Sequence, residues 1–291
     1  MIDAFLKYLR YEKRSSEHTI LGYQRDLHQF LSFLSVEFEL NEPSNATHIM
    51  LRSWVAELAD TDLVAKSVNR KIATLKSFYK FLMVRGHITK NPAAALKPLR
   101  VEKKLPSFVR ETEMDNLLDN IPYSSNFEGQ RDKLLLEILY GTGIRLNELI
   151  NLKVSDINFF QGSIKVLGKR NKERVIPIHQ LLVKTIKEYL AVRNELFGSS
   201  AILLLTDNGN QMYPMFVYRK VKHYLDMVTT ITKRSPHVLR HTFATHLLNK
   251  GADLNAVKDL LGHTSLAATQ VYTHNSMEKL KAVFDQAHPK A

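Results

Sequence analysis

Apolar residues recur at intervals of three and four along most of this 291-residue chain, the period that lays them on one face of an α-helix. Ile20, Tyr23, Leu27, Phe30, Leu31 and Leu34 form one such stripe behind Ser16, a residue type that caps helix starts. Val68, Ile72, Leu75, Tyr79 and Leu82 form a second, with Ser67 as its expected cap and Gly86 as its stop. Shorter stripes from Ile2 to about Lys13, and from about His48 to Leu58 behind Thr47, complete a four-helix unit over residues 1–90.

The pattern breaks from Asn91 to Pro106, where NPAAALKPLRVEKKLP combines three prolines with basic residues and few large apolar ones. This composition predicts a linker over 91–106, one that suits a DNA backbone and a plain solvated connector equally. A second unit, 107–291, is mostly helical. A helix from about Arg131 to Tyr140 leads to Gly141-Thr142-Gly143, and Ile144 to Leu152 resumes the helical period. Ile157, Phe159, Ile164, Val166, Val175, Ile176 and Ile178 instead suggest three short antiparallel strands, with turns at Gln161-Gly162 and at GKRNKER. Helices are expected at about 179–196, 214–228, 238–249, 253–261 and 265–272, with Gly251 and Gly262 as stops. The fold class is therefore mainly α, in the α+β sense, with one small antiparallel sheet.

Charge narrows the choice of partner. The net charge is +12, and both parts are basic, with 15 Lys/Arg against 10 Asp/Glu in residues 1–100 and 26 against 19 in the remainder. Such a spread suits a polyanion gripped along the whole protein better than a basic tail on a neutral enzyme. Lys66, Arg70, Lys76 and Lys80 lie partly off the apolar face of their helix and are the expected DNA contacts, although an ordinary solvated face has the same look. There is no cysteine, which excludes disulfides and thiolate metal sites and fits a reducing compartment. No run of 18 apolar residues and no signal-peptide core occurs, so the chain is read as cytoplasmic, with no membrane partner.

In SPHVLRHTFATHLLNKG, His237 and Arg240 are three residues apart at a helix start and can point to one place. His237 and His241 have a zinc-like i, i+4 spacing, but Val238, Leu239 and Arg240 stand between them where a metallohydrolase carries its glutamate. No metal and no cofactor is expected. An arginine–histidine pair suits a phosphate, because guanidinium offers forked donors and imidazole can give or take a proton.

The set is completed by Arg145 in YGTGIRLNELI, Lys169 in VLGKRNKERVIPI, and His263 and Tyr272 in LLGHTSLAATQVYTH. In order, spacing and flanks, these motifs resemble the tyrosine recombinase and phage integrase family, closest to its Xer members, over almost the whole chain. Asn147 departs from the pattern by standing where the family often has serine.

The residues themselves support phosphoryl transfer. Attack on a phosphodiester builds negative charge on the non-bridging oxygens, which Arg145 and Arg240 can clamp while His263 donates a further hydrogen bond. Tyr272 is a plausible nucleophile because a phenol, with a pKa near 10, leaves more easily than an alkoxide, so its phosphate ester is reversible. By resemblance, Lys169 is the general acid for the departing 5′ oxygen, with Lys172 its competitor, and His237 is the general base on the tyrosine. Glu148 is read as a support or salt-bridge partner for Arg145 with no chemical role of its own.

The resemblance implies an N-terminal SAM-like core-binding domain and a helical catalytic domain that close around DNA as a C-shaped clamp. It also implies four protomers on two sites of inverted half-sites, homo- or hetero-tetrameric, exchanging strands through a Holliday junction. For an Xer type it further implies dimer resolution, with a possible partner recombinase and a septal DNA translocase. A transposon or phage integrase is the alternative within the family, and a type IB topoisomerase shares the chemistry without site specificity. Finally, Met277, Leu280, Lys281 and Phe284 recur at helical spacing, predicting a short amphipathic helix over 277–285. The resemblance implies that it docks on a neighbouring protomer.

Overall fold

The computed structural model describes residues 1–101, 107–168 and 173–262. The chain divides into two compact units, Met1–Lys104 and Leu105–Ala291.

The first unit is built on four helices: α1 (Ile2–Lys7, continued by a wider turn over Tyr8–Glu12), α2 (Glu17–Phe38), α3 (His48–Asp60) and α4 (Ala65–Val84). Ser16 accepts from the Thr19 N–H at 3.4 Å and Thr47 from the Met50 N–H at 3.4 Å, so both expected caps start their helices. Ser67 does not. Helix α4 begins three residues earlier than that cap implies, after an extended Val64, whose carbonyl receives the Ser67 N–H at 2.7 Å. The apolar stripes meet in one core that includes Phe5, Leu27, Phe30, Trp54, Phe78 and Tyr79.

The stretch expected as a linker is in its first part a wall of this core. Ala93 and Leu96 are buried in it. His48 Nδ1 lies 2.9 Å from the Pro92 carbonyl, and Asn69 exchanges two hydrogen bonds with the main chain of Leu99. Small apolar side chains between prolines sufficed for this packing, a signal that the basic composition of the stretch obscured.

In the second unit, helix α5 (Glu111–Asp115, continued by a turn over Asn116–Asn120) was not anticipated from the periodicity. Its buried residues, Met114, Leu117 and Leu118, are few and close together. Next comes α6 (Phe127–Thr142), in which Leu134, Leu135, Leu136, Ile138 and Leu139 are all buried. Only the stripe of Gln130, Lys133 and Glu137 stays half-exposed, so α6 is surrounded on its remaining faces and is the central element of this unit. It leads to α7 (Leu146–Ile150) and to a sheet of β1 (Ile157–Asn158), β2 (Ser163–Leu167) and β3 (Glu173–Pro177). The strands are antiparallel in the order β1-β2-β3, with Ile164 opposite Ile176 and Val166 opposite Arg174. Helices α8 (Gln180–Phe197), α9 (Pro214–Val228), α10 (Pro236–Asn249) and α11 (Leu254–Leu261) follow. Gly262 ends α11 with φ of 62°. Among the described residues no helix is long and apolar enough to cross a membrane.

Candidate functional site

Helix α10 is seated in the core before it presents anything to solvent. Val238, Leu239, Thr242, Phe243, His246 and Leu247 are buried, and His246 Nδ1 lies 2.9 Å from the Tyr140 hydroxyl on α6. This anchoring fixes the outward face one turn earlier, where His237 is exposed and Arg240 half-buried.

Gly143 ends α6 in the left-handed region, at φ of 59°. A Cβ there would come within 2.4 Å of the Phe243 ring and 2.9 Å of Leu261, so only glycine lets α6, α10 and α11 meet at this point. The Gly143 carbonyl accepts from Arg240 Nη1 at 2.5 Å, and Nη2 of the same arginine donates to the Leu261 carbonyl at 2.6 Å. Arg145, two residues on, donates from Nη2 to the Gly262 carbonyl at 3.0 Å. Two arginines distant in sequence thus converge on consecutive carbonyls at the end of α11. A guanidinium carries five N–H donors, so these contacts leave each arginine able to fork onto an anion.

Glu148 supports the arginine from behind. It accepts from the Arg145 backbone N–H at 2.7 Å and from Nη1 at 2.9 Å. Arg174 of β3, which the sequence reading passed over, donates to both oxygens of the same carboxylate at 2.8 Å and from Nε to the Leu260 carbonyl at 2.8 Å. Burial alone would raise the Glu148 carboxyl. The Arg174 hydrogen bonds, the Arg145 N–H, the Arg174 charge and the Arg145 side chain outweigh it and hold the pKa down at about 2. Burial, and then the like charges of Arg145 and Arg174, brings Arg240 down to about 10 against the pull of Glu148. Three guanidinium groups around one carboxylate leave an excess of positive charge, which an anion would relieve.

Period-two alternation was the signal that could have found Arg174, since it shares a face with Ile176 two residues on, and both are buried. Lys169 and Lys172, together with His263, Tyr272 and the segment 277–285, lie outside the described residues. Among the described residues no group of three or more His, Asp or Glu is placed to hold a metal ion.

In the first unit, Lys66, Arg70 and Lys80 are exposed and Lys76 half-buried. They are not four equivalent cations. Arg70 pairs through Nη1 with the buried Asp26 of α2, which also accepts from Lys71 at 3.0 Å and Thr74 at 3.0 Å.

Two family models match. The phage integrase family covers residues 107–279, and the phage integrase N-terminal SAM-like domain covers 2–86. The chain belongs to the phage integrase family and is a tyrosine recombinase, an enzyme that transfers DNA strands. Its curated relatives include Tyrosine recombinase XerC of Chlorobaculum parvum, 38% identical over 317 residues, covering 100% of this chain and 94% of the relative. Another is Tyrosine recombinase XerD of Staphylococcus haemolyticus, 34% identical, covering 100% and 99%. The fold is shared with the XerH site-specific recombinase bound to difH substrate in a pre-cleavage complex. That structure is 24% identical, has a TM-score of 0.69, and the match covers 97% of this chain and 83% of that one.

Proposed function

We propose that this site cleaves and rejoins one strand of duplex DNA at a defined sequence, with Tyr272 as the nucleophile. The observation that carries the reading is the convergence of Arg145 and Arg240 on the carbonyls of Leu261 and Gly262, directly before His263. An anion held there lies at the last described residue before His263, itself nine residues ahead of Tyr272 in the chain. The phenol oxygen forms a bond to phosphorus as the bond to the 5′ oxygen breaks, giving a 3′-phosphotyrosine and a free 5′ hydroxyl. Arg145 and Arg240 take up the charge that grows on the non-bridging oxygens, and His263 adds a hydrogen bond. His237 accepts the tyrosine proton, and Lys169 protonates the leaving oxygen. Attack by the 5′ hydroxyl of another strand reverses these steps and conserves the bond energy.

Relatives named XerC and XerD, matched over nearly their full length, support the Xer kind over a transposon or phage integrase. On that reading two DNA sites with inverted half-sites are held by four protomers, of one or two kinds, and exchange strands through a Holliday junction to resolve chromosome or plasmid dimers. A partner recombinase and a septal translocase would then act on the same complex in the cytoplasm. The test is a suicide substrate bearing the genomic site recovered by binding selection. Wild type should leave a covalent band on a denaturing gel, in excess EDTA as well as without it, and Tyr272→Phe should bind the site but leave none. A band from the Phe variant sinks the assignment.

A further inference from the structure

We infer that Arg174 is a positioning residue for strand cleavage, one that sets Arg145 through Glu148 and ties both to the end of α11. The inference rests on the strand-transfer reading above and deepens it.

Arg174 is 4% exposed and spends its whole fork inside the protein. Its two Nη groups meet the two oxygens of Glu148, and its Nε meets the Leu260 carbonyl. Glu148 in turn holds Arg145 by its side chain and its backbone N–H. Gly262 packs over the guanidinium, where a Cβ would lie 3.1 Å from Arg174 Cδ. One side chain thereby joins three pieces of chain distant in sequence: β3, which begins four residues after Lys169, the Arg145–Glu148 turn, and the last carbonyls before His263.

A buried cation worth only its packing would have one carboxylate partner and no tie to the site. Here the carboxylate is shared with an arginine that the mechanism uses, so rotation of Glu148 moves Arg145. A shift of about 1 Å in a positioned group can cost about 10²-fold in rate. Lysine cannot replace the fork, since it carries its donors at a single point.

The charged groups that face Glu148 are Arg145, Arg174 and Arg240, with Lys153, Asp156, Lys165 and Glu173 around the cleft on its other side. Removing Arg174 deletes the strongest donors that keep the carboxylate ionised. Glu148 then protonates at higher pH and lets go of Arg145.

The experiment is single-turnover cleavage of the suicide substrate by the full chain, read as a rate against pH, with half-site binding measured alongside. Arg174→Met should cleave about 10²-fold slower while binding within about threefold of wild type, with the acid limb of its rate profile moved to higher pH. Adding Glu148→Gln should abolish that limb and slow cleavage little further, because the two residues act in one chain of contacts. Arg174→Lys should recover part of the rate. A wild-type rate, a loss equal at every pH, or a parallel loss of binding and cleavage overturns the inference. If Arg174→Met does not fold, Arg174→Lys decides, and an acid limb unmoved from wild type overturns it too. Failure of the strand-transfer reading looks different, since the wild type itself would then form no adduct.

Discussion

Asn69 on α4 grips the main chain of Leu99 from both sides, its Nδ2 donating to the carbonyl at 2.9 Å and its Oδ1 accepting from the N–H at 2.7 Å. The chain is therefore held to the first unit through Leu99. Asn69→Ala should cost about 1–3 kcal/mol, from two lost hydrogen bonds with a main chain that stays partly buried. Limited proteolysis should then gain a cut within 91–99. An unchanged cleavage pattern would show that Ala93 and Leu96 hold the segment without the amide.

Gly143→Ala should be among the most damaging small changes in the second unit. The alanine would have to hold a left-handed φ of 59° and displace the Phe243 ring, 2.4 Å from its Cβ. Strain and overpacking together predict about 2–4 kcal/mol of lost stability. The Gly143 carbonyl would also shift against Arg240. Denaturant unfolding and single-turnover cleavage check this, and a stable, fully active variant would refute the role given to this turn.

Glu148 gives a pH signature of stability. Its folded pKa of about 2 lies below the ordinary 4.5, so its contribution is full above the ordinary value and is lost as pH falls through the folded one. Wild type should exceed Glu148→Gln in stability near neutrality, and the gap should close between about pH 4.5 and 2. Paired denaturant titrations at a series of pH values measure it. A gap constant across that window would mean that the neighbouring arginines do not hold the carboxylate ionised.

Lys169→Ala should slow cleavage by about 10² to 10⁴ if this lysine is the general acid. Sulfur at the bridging 5′ position leaves without a proton, so on that substrate the defect should largely vanish. Equal defects on both substrates would pass the role to Lys172.

Deleting residues 277–291 tests the amphipathic tail. If it docks on a neighbouring protomer in a head-to-tail ring, the truncated chain should bind a half-site normally, lose cooperative pairing and lose most strand exchange. Gel shifts and recombination assays on the same protein decide, and wild-type cooperativity would return the tail to its own domain.

Much of this protein was legible in its sequence because the controlling physics is local. The stripes of α2 and α4, the caps at Ser16 and Thr47 and the stop at Gly262 each need only a few neighbouring residues to specify a helix and its bounds. The motifs around Arg145 and Arg240 were equally plain, since their flanks are part of the pattern. Contacts between distant segments were not. Alternation with Ile176 puts Arg174 on the buried face of β3, but nothing near it in the chain names its partner, because the carboxylate that makes burial tolerable stands on α7. Val64 overrode Ser67 as the start of α4, and Asn69 captured Leu99 from a stretch whose composition reads as solvated. Periodicity decides which face of an element is buried, but a buried charge or a strapped linker depends on the partner that meets it, and only the tertiary structure supplies that partner.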